Sequence, residues 1–294
     1  MRGRGDGMDA GRRSGIGSDA SAPDAAHALR VALAAAAEAG RVLARMRGEA
    51  ARMQAATKSS RRDLVTAADL AAEAAIVARL RAEFPDHAIE AEESTRDARD
   101  DRPRWFVDPL DGTVNYVHGL PAYCVSIALW HRGAPLVAVV HAPALRERFW
   151  AVRGGGACAE LLDGEGSPCA PPVPLATSAC DALDDALVAT GFAYKRNELA
   201  NPNVGNFAHL VLRLRDVRRC GSAALDLAWT ASGRLDGYWE LHLSPHDVAA
   251  GGLLVLEAGG VVSDARGGGD WLRAGHILAA PSTMHALLVR ELEV

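Results

Sequence analysis

The sequence predicts a mixed fold in two halves: helices packed on an antiparallel sheet (α+β) to about residue 156, then alternating helices and strands (α/β) from about residue 184. Three observations point there. A chain of 294 residues with 49% hydrophobic composition buries a sizeable core, as one large domain or two packed lobes. Two alanine-rich, helix-period segments precede a series of β-branched and aromatic runs separated by turn residues. Beyond a stretch rich in Gly and Pro, helical and strand-like segments alternate.

The first 22 residues carry Arg2, Arg4, Arg12 and Arg13 among Gly, Ser and Asp, without the apolar stretch of a secretion signal. They read as a disordered tail. Asp6, Asp9 and Asp19 count against an amphipathic transit peptide, and a start at Met8 is an equal alternative. Residues 25–46, with Leu29, Ala32, Val42 and Leu43 among Arg and Glu, predict an amphipathic helix. Residues 66–84 predict a second, stopped by Pro85.

Strands are expected at 105–107, 124–130, 136–141 and 148–152, punctuated by Gly133, Pro143 and Gly154-Gly155-Gly156, as an antiparallel meander. Residues 157–174 read as a surface loop, within a connector of about 157–183. Downstream come a strand at 186–190, helices at 207–213 and 223–231, a strand at 237–240 and a helix at 247–258. A single domain over 23–294 accommodates both lobes.

Net charge of −5, with 32 Lys and Arg against 37 Asp and Glu, leaves no basic excess to attract nucleic acid. The five cysteines, Cys124, Cys158, Cys169, Cys180 and Cys220, form no C-x-x-C pair and fit reduced, cytoplasmic thiols. Apolar stretches such as 31–37 and 253–256 fall well short of the roughly 20 residues that span a bilayer.

The most informative segment is Asp108-Pro109-Leu110-Asp111-Gly112-Thr113-Val114-Asn115, directly behind Trp105-Phe106-Val107. Asp108 and Asp111 offer oxygens to a hard divalent cation, and Pro109 stiffens the turn so that the Leu110 carbonyl can be a third ligand. Gly112 and Thr113 stand where a helix can begin and seat an anion. An ordinary strand-to-helix turn accounts for this segment alone about as well. Two further acidic elements, Ala91-Glu92-Glu93-Ser94 and Ser244-Pro245-His246-Asp247-Val248, shift the balance toward a metal site.

Together with Asp63-Leu64-Val65-Thr66-Ala67-Ala68-Asp69, Gly221-Ser222-Ala223-Ala224 and Asp247-Val248-Ala249-Ala250-Gly251, these segments resemble the inositol monophosphatase family in order and spacing, from about residue 25 to the C-terminus. The resemblance implies an α+β and α/β layered sandwich of alternating helix and sheet layers, and a lithium-sensitive, homodimeric phosphomonoesterase. It assigns two or three Mg2+ to Glu92, Asp108, Asp111, the Leu110 carbonyl and Asp247. It gives water activation to Thr113, with its hydroxyl held by Asp69 and Glu92 at the same metal. Gly112 and Thr113 N–H groups would hold phosphate, Gly221, Ser222 and Ala223 the leaving alcohol, and Glu240, seven residues before Asp247, the polyol hydroxyls. Lys58 matches a lysine near the family's metal site.

Chemistry asks for such a site independently. Four carboxylates repel a phosphate dianion unless cations reverse the field, and oxygen-only ligands favour Mg2+ over zinc or copper. No residue in the motif is a better nucleophile than water, so direct hydrolysis without a phosphoenzyme is expected. Simpler roles stand beside some of these: Thr66 and Asp69 match a capping box, and Glu240 could be a strand-end residue facing water. Three departures concern substrate preference: His246 where the family commonly has Trp, Ala91 where Gly is usual, and the Cys- and Pro-rich loop where the family has a tighter hairpin. The expected function is hydrolysis of myo-inositol monophosphate or a similar polyol or sugar phosphate. Fructose 1,6-bisphosphate, histidinol phosphate or a nucleotide 3′-phosphate are alternatives with the same chemistry, and a non-catalytic, partner-binding protein is the alternative of another class.

Overall fold

The computed structural model describes residues 23–54, 61–98, 100–193 and 196–293. The tail at 1–22 and Lys58 lie outside the described residues.

The first N-terminal helix outruns its expected end, and the second its expected start. Helix α1 spans Ala25–Gln54 and α2 spans Arg61–Glu83. Ala28, Ala32, Ala35, Ala39 and Leu43 recur at helical spacing and are fully buried, so the alanine stripe of α1 lets it lie close against its neighbours. Because α2 starts at Arg61, Asp69 falls in its third turn rather than at N3. The capping-box reading of Thr66 and Asp69 therefore fails, since backbone N–H groups there are already inside the helix.

The first sheet takes its strands in chain order: β1 (Ala88–Ala91), β2 (Arg104–Asp111), β3 (Cys124–His131), β4 (Ala134–Ala142), β5 (Glu147–Val152), β6 (Gly156–Leu161) and β7 (Val173–Pro174), with helix α3 (Thr113–His118) between β2 and β3. Strands β1 and β2 pair in parallel; every later pair is antiparallel, the expected meander. The stretch taken for a loop opens with β6 and contains β7, a correction that its composition explains. Gly156-Ala157-Cys158-Ala159-Glu160-Leu161 has no β-branched residue and pairs only because β5 presents an edge.

The second half contributes β8 (Leu187–Thr190), α4 (Val204–Leu210), β9 (Asp216–Arg218), α5 (Ala223–Ala231), β10 (Gly237–Leu241), α6 (Pro245–Glu257), β11 (Val261–Ser263), β12 (His276–Ala280) and α7 (Ser282–Glu291). Its sheet runs β11-β12-β10-β8-β9. Strands β9, β11 and β12 and helix α7 carried too short or too mixed a pattern to be expected, and α4 begins three residues before its predicted start.

Alternation along β2 explains the layering. Trp105 and Val107 join the cluster under α1 and α2, whereas Phe106 joins the cluster containing α5 and α6. Strand β3 divides in the same way, with Val125, Ile127 and Leu129 on one face and Cys124, Ala128 and Trp130 on the other. Both strands are covered on both sides and so read as continuous apolar runs. Helices α5 and α6 lie between the sheets, and α4 and α7 close the outer face of the second sheet. The result is the five-layer αβαβα sandwich that alternating helix and sheet layers require. Helices α5 and α6 meet closely at Gly251, where any Cβ would overlap Leu227.

Candidate metal and phosphate site

The site forms where the end of β2 meets the starts of α5 and α6. Between Asp108 and Asp111 the pairing of β2 with β3 shifts register, which is where a proline in an otherwise central strand can sit. The irregularity turns the backbone so that Asp108 Oδ1 accepts the Leu110 N–H at 2.9 Å and Thr113 Oγ1 donates to the Leu110 carbonyl at 3.1 Å. Gly112 then adopts φ 92° and ψ 35°, and a Cβ there would stand 2.8 Å from the Ala122 carbonyl oxygen. Only glycine fits that junction. Helix α3 starts at Thr113, as the motif predicts.

Asp111 joins the two halves. Its Oδ2 accepts Ser222 Oγ and the Ala224 N–H, both at 2.7 Å, so a side chain of the first sheet caps the start of α5. Ser222 and Ala223 are buried, and the Ser222 hydroxyl is committed to Asp111, while Gly221 stays partly exposed. Asn115, which sequence reasoning passed over, makes the second tie: its Nδ2 donates to the Ala122 carbonyl at 2.6 Å and the Cys220 carbonyl at 2.7 Å. Its place two residues after Thr113, in the same Asp-Gly-Thr-x-Asn string, was the available signal.

Asp247 enters from α6 at N3, where its Oδ2 accepts the Ser244 N–H at 2.6 Å in a capping box. The helix begins at Pro245, two residues before the predicted start. Glu92 follows β1, and its N–H donates to the Val107 carbonyl at 3.1 Å, which brings its side chain beside Asp108. Glu92 and Asp108 face one another there, and the Glu92 charge helps hold the Asp108 carboxyl above its ordinary range. Glu93 is exposed, in keeping with a solvated neighbour.

Electrostatics unite these groups. Burial, then Glu92, Asp111 and Asp247, hold Asp108 well above the ordinary carboxylate range. Burial and Asp247 push Asp111 up to about 6 against the pull of Ser222 and Ala224, and burial raises Asp247 to about 6. Glu92 is raised by burial, lowered by His246 and raised again by Asp247. Asp69 is pushed up to about 8 by burial, Glu93, Glu92 and Glu73, and its buried Oδ1 has no hydrogen-bond partner. Its expected tie to Thr113 is absent, because the Thr113 hydroxyl goes to Leu110 instead.

Across the site, Glu240 of β10 is 9% exposed rather than facing water, accepts the Tyr238 hydroxyl, and is raised by burial to about 7. It leans over Gly191, where any Cβ would collide with its carboxylate. His246 is buried, with Nε2 3.8 Å from Asp247 Oδ1. Asp226 of α5, not anticipated, is buried with Oδ1 unpartnered and lies in the field of Asp111 and Glu240.

Among the described residues, no three His, Cys, Asp or Glu side chains are already gathered into a finished metal cage. Asp108, Asp111 and Asp247 each accept a backbone N–H instead. The donor set still fits a hard dication: it is all oxygen, half-buried to buried, mutually repelling, and bordered by the orphaned Asp69 oxygen.

The model of the inositol monophosphatase family matches residues 24–294. The chain belongs to that family. It is 41% identical over 262 residues to the Nus factor SuhB of Escherichia coli K12, covering 88% of this chain and 94% of that one. It superposes on the inositol monophosphatase of Anabaena (Nostoc) sp. PCC 7120 with a TM-score of 0.78 and 40% identity, covering 92% of this chain and 96% of that one. Mycobacterium tuberculosis SuhB gives 0.74 at 35% identity, with 91% and 96% covered. Family membership accounts for the layered fold. Among the described residues no helix is long and apolar enough to cross a membrane, and all five cysteines are free.

Proposed function

We propose that the protein is a Mg2+-dependent phosphomonoesterase that hydrolyses myo-inositol monophosphate or a similar polyol or sugar phosphate. The supporting observation is that Glu92, Asp108, Asp111 and Asp247, from both halves of the chain, lie in one another's fields, with Asp108 buried and the other three half-buried, and each carboxyl is pushed upward. Clustered carboxylates that cannot all ionise are a site for cations. In this reading those four side chains and the Leu110 carbonyl hold Mg2+. The ion supplies the positive charge that admits a phosphate dianion and offsets charge growing on the leaving oxygen.

The chain's own groups do the rest. Gly112 and Thr113 N–H groups seat the phosphate where α3 begins. The Thr113 hydroxyl orients the attacking water, and Asp69, one helix away with a vacant oxygen, draws the proton from it. Asn115 keeps the Gly112 turn in register with the Gly221 loop, where the leaving alcohol lies. Glu240, fixed by Tyr238, accepts hydroxyl protons of that alcohol and favours polyols over apolar alcohols. A second reading comes from the relatives named Nus factor SuhB, in which the chain acts through a partner protein. The retained acidic set favours the first.

The deciding experiment is phosphate release from inositol 1-phosphate, glycerol 2-phosphate, fructose 1,6-bisphosphate, histidinol phosphate and adenosine 3′,5′-bisphosphate, with Mg2+ and with EDTA. Selective, EDTA-sensitive release from a polyol phosphate supports the proposal. Silence across the panel from folded, Mg2+-binding protein moves the assignment to the partner reading.

Stability gives an independent check. A carboxyl group whose folded pKa exceeds its unfolded value contributes stability that is complete below the unfolded pKa and lost as pH rises through the folded one. For Asp69 that window runs from 3.8 to about 8, and for Glu240 from 4.5 to about 7. His87 and His141, lowered by burial from 6.5 to about 4, act oppositely but only below pH 6.5. Metal-free protein is therefore expected to lose melting temperature between pH 6.5 and 8. Mg2+ at about 100 times its Kd adds roughly 2.7 kcal/mol, or about 5–10 °C, with the larger effect at pH 8. A melting curve in EDTA that is flat over this range, and unmoved by Mg2+, contradicts the site.

A further inference from the structure

One buried carboxylate is left over from this site. Glu73 lies on α2 one turn beyond Asp69, is 1% exposed, and is not among the groups assigned to metal or substrate. Its Oε2 accepts the Glu93 N–H at 2.9 Å, and its Oε1 accepts the Ser94 N–H at 3.1 Å, the Thr95 N–H at 3.0 Å and the Ser94 hydroxyl at 2.6 Å. Three successive backbone donors and a hydroxyl converge on one anion, the geometry of an anion-binding nest. That nest immediately follows Glu92, whose own N–H is fixed to the Val107 carbonyl.

Burying a further negative charge beside Asp69 and Glu92 costs free energy unless its hydrogen bonds offset it. A glutamine cannot replace it fully: one oxygen remains to accept, and the amide N–H2 points donors at donors. The carboxylate is therefore matched to this loop.

We propose that Glu73 is a positioning residue for metal binding: it clamps residues 93–95 to α2 and thereby aims Glu92 at Asp108 and at the ion between the two halves. The inference rests on the reading of Glu92 as a metal ligand. It makes α2 a common support, with Asp69 facing the water and Glu73 holding the ligand loop one turn away. Outer carboxylates and hydrogen-bond partners that orient a metal ligand typically affect metal affinity 10- to 100-fold when removed.

The test is calorimetric titration of Mg2+ into chelator-treated wild type, Glu73→Gln and Ser94→Ala, beside melting curves in EDTA and phosphate release as a function of Mg2+. Glu73→Gln is expected to raise the Mg2+ Kd about 10- to 100-fold, with turnover recovering as Mg2+ is raised. Ser94→Ala, which removes only the 2.6 Å hydroxyl bond, shifts Kd in the same direction by less. A purely structural role lowers the melting temperature and leaves Kd alone; a folded Glu73→Gln with wild-type Mg2+ affinity overturns the proposal. If Glu73→Gln does not fold, unchanged affinity in Ser94→Ala overturns it. Wild type whose Mg2+ affinity depends on Glu73 but which releases no phosphate upholds the clamp and removes the phosphatase reading. Wild type that binds no Mg2+ removes both.

Discussion

Asp111→Asn is expected to lower Mg2+-dependent phosphate release by on the order of 10³-fold or more while the protein stays folded, because a lost charge in a preorganised, water-poor site costs at least as much as a lost oxyanion donor. Asp111 has two separable jobs. As a cap for α5, its Oδ2 receives Ser222 Oγ and the Ala224 N–H, and an amide oxygen can receive both. Losing the charge from that capping interaction costs about 1 kcal/mol, which a buried two-sheet core tolerates. In the proposed role of cation ligand, Asp111 would be one of four carboxylates whose charge Mg2+ offsets, and the amide is a weaker ligand with no charge to give. Circular dichroism and melting report the first job; phosphate release and Mg2+ calorimetry report the second. Near-normal, EDTA-sensitive turnover in this variant would place the chemistry elsewhere.

The same residue shows what a linear reading reaches and where it stops. That Asp108, Asp111, Gly112 and Thr113 form a turn from strand to helix follows from residue type and spacing, and the structure supplies that turn through a register shift between Asp108 and Asp111. That Asp111 also caps a helix 113 residues away cannot be read from spacing, because it depends on how the two sheets enclose α5 and α6. Asn115 and Glu73 escaped for the same reason: each is defined by backbone groups it meets across the fold, at Cys220 and at residues 93–95. Helices with strong patterns, such as α5, fall on their predicted bounds. Strands β9, β11 and β12 of the second sheet, and β6, do not, since neighbours rather than propensity decide them.

Departures from the family pattern now have surroundings. His246, standing where the family commonly has Trp, is buried beside Asp247, and its carbonyl accepts Ser126 Oγ at 3.3 Å. It lies in the fields of Glu92, Glu90 and Arg96, so an imidazole replaces an indole next to the acidic group without removing any of its carboxylates. Asp226 and Glu240, both raised in pKa by burial, would line the proposed leaving-alcohol side with carboxyl groups as well. A hydroxyl-bearing alcohol suits that side better than a second phosphate, which would meet two carboxyl groups.

Thr113→Ala is expected to lower kcat by about 10²- to 10⁴-fold, the range for a group that positions or relays a proton in the reaction. The geometry admits a competing role, because Thr113 Oγ1 donates to the Leu110 carbonyl at 3.1 Å and could serve mainly to aim that oxygen at the ion. The two roles separate kinetically. If the hydroxyl orients water, the alanine variant keeps its half-saturating Mg2+ concentration and loses kcat, and Thr113→Ser restores most of the loss. If it only holds Leu110, half-saturation rises and high Mg2+ rescues turnover. Asp69 sharpens the distinction, since its buried Oδ1 has no hydrogen-bond partner while the Thr113 hydroxyl donates to Leu110. Residues that act as one unit are non-additive. Thr113→Ala combined with Asp69→Asn is therefore expected to cost little more than either alone, whereas losses that multiply would separate Asp69 from the proton path and leave its raised pKa as a consequence of crowding by Glu92, Glu93 and Glu73.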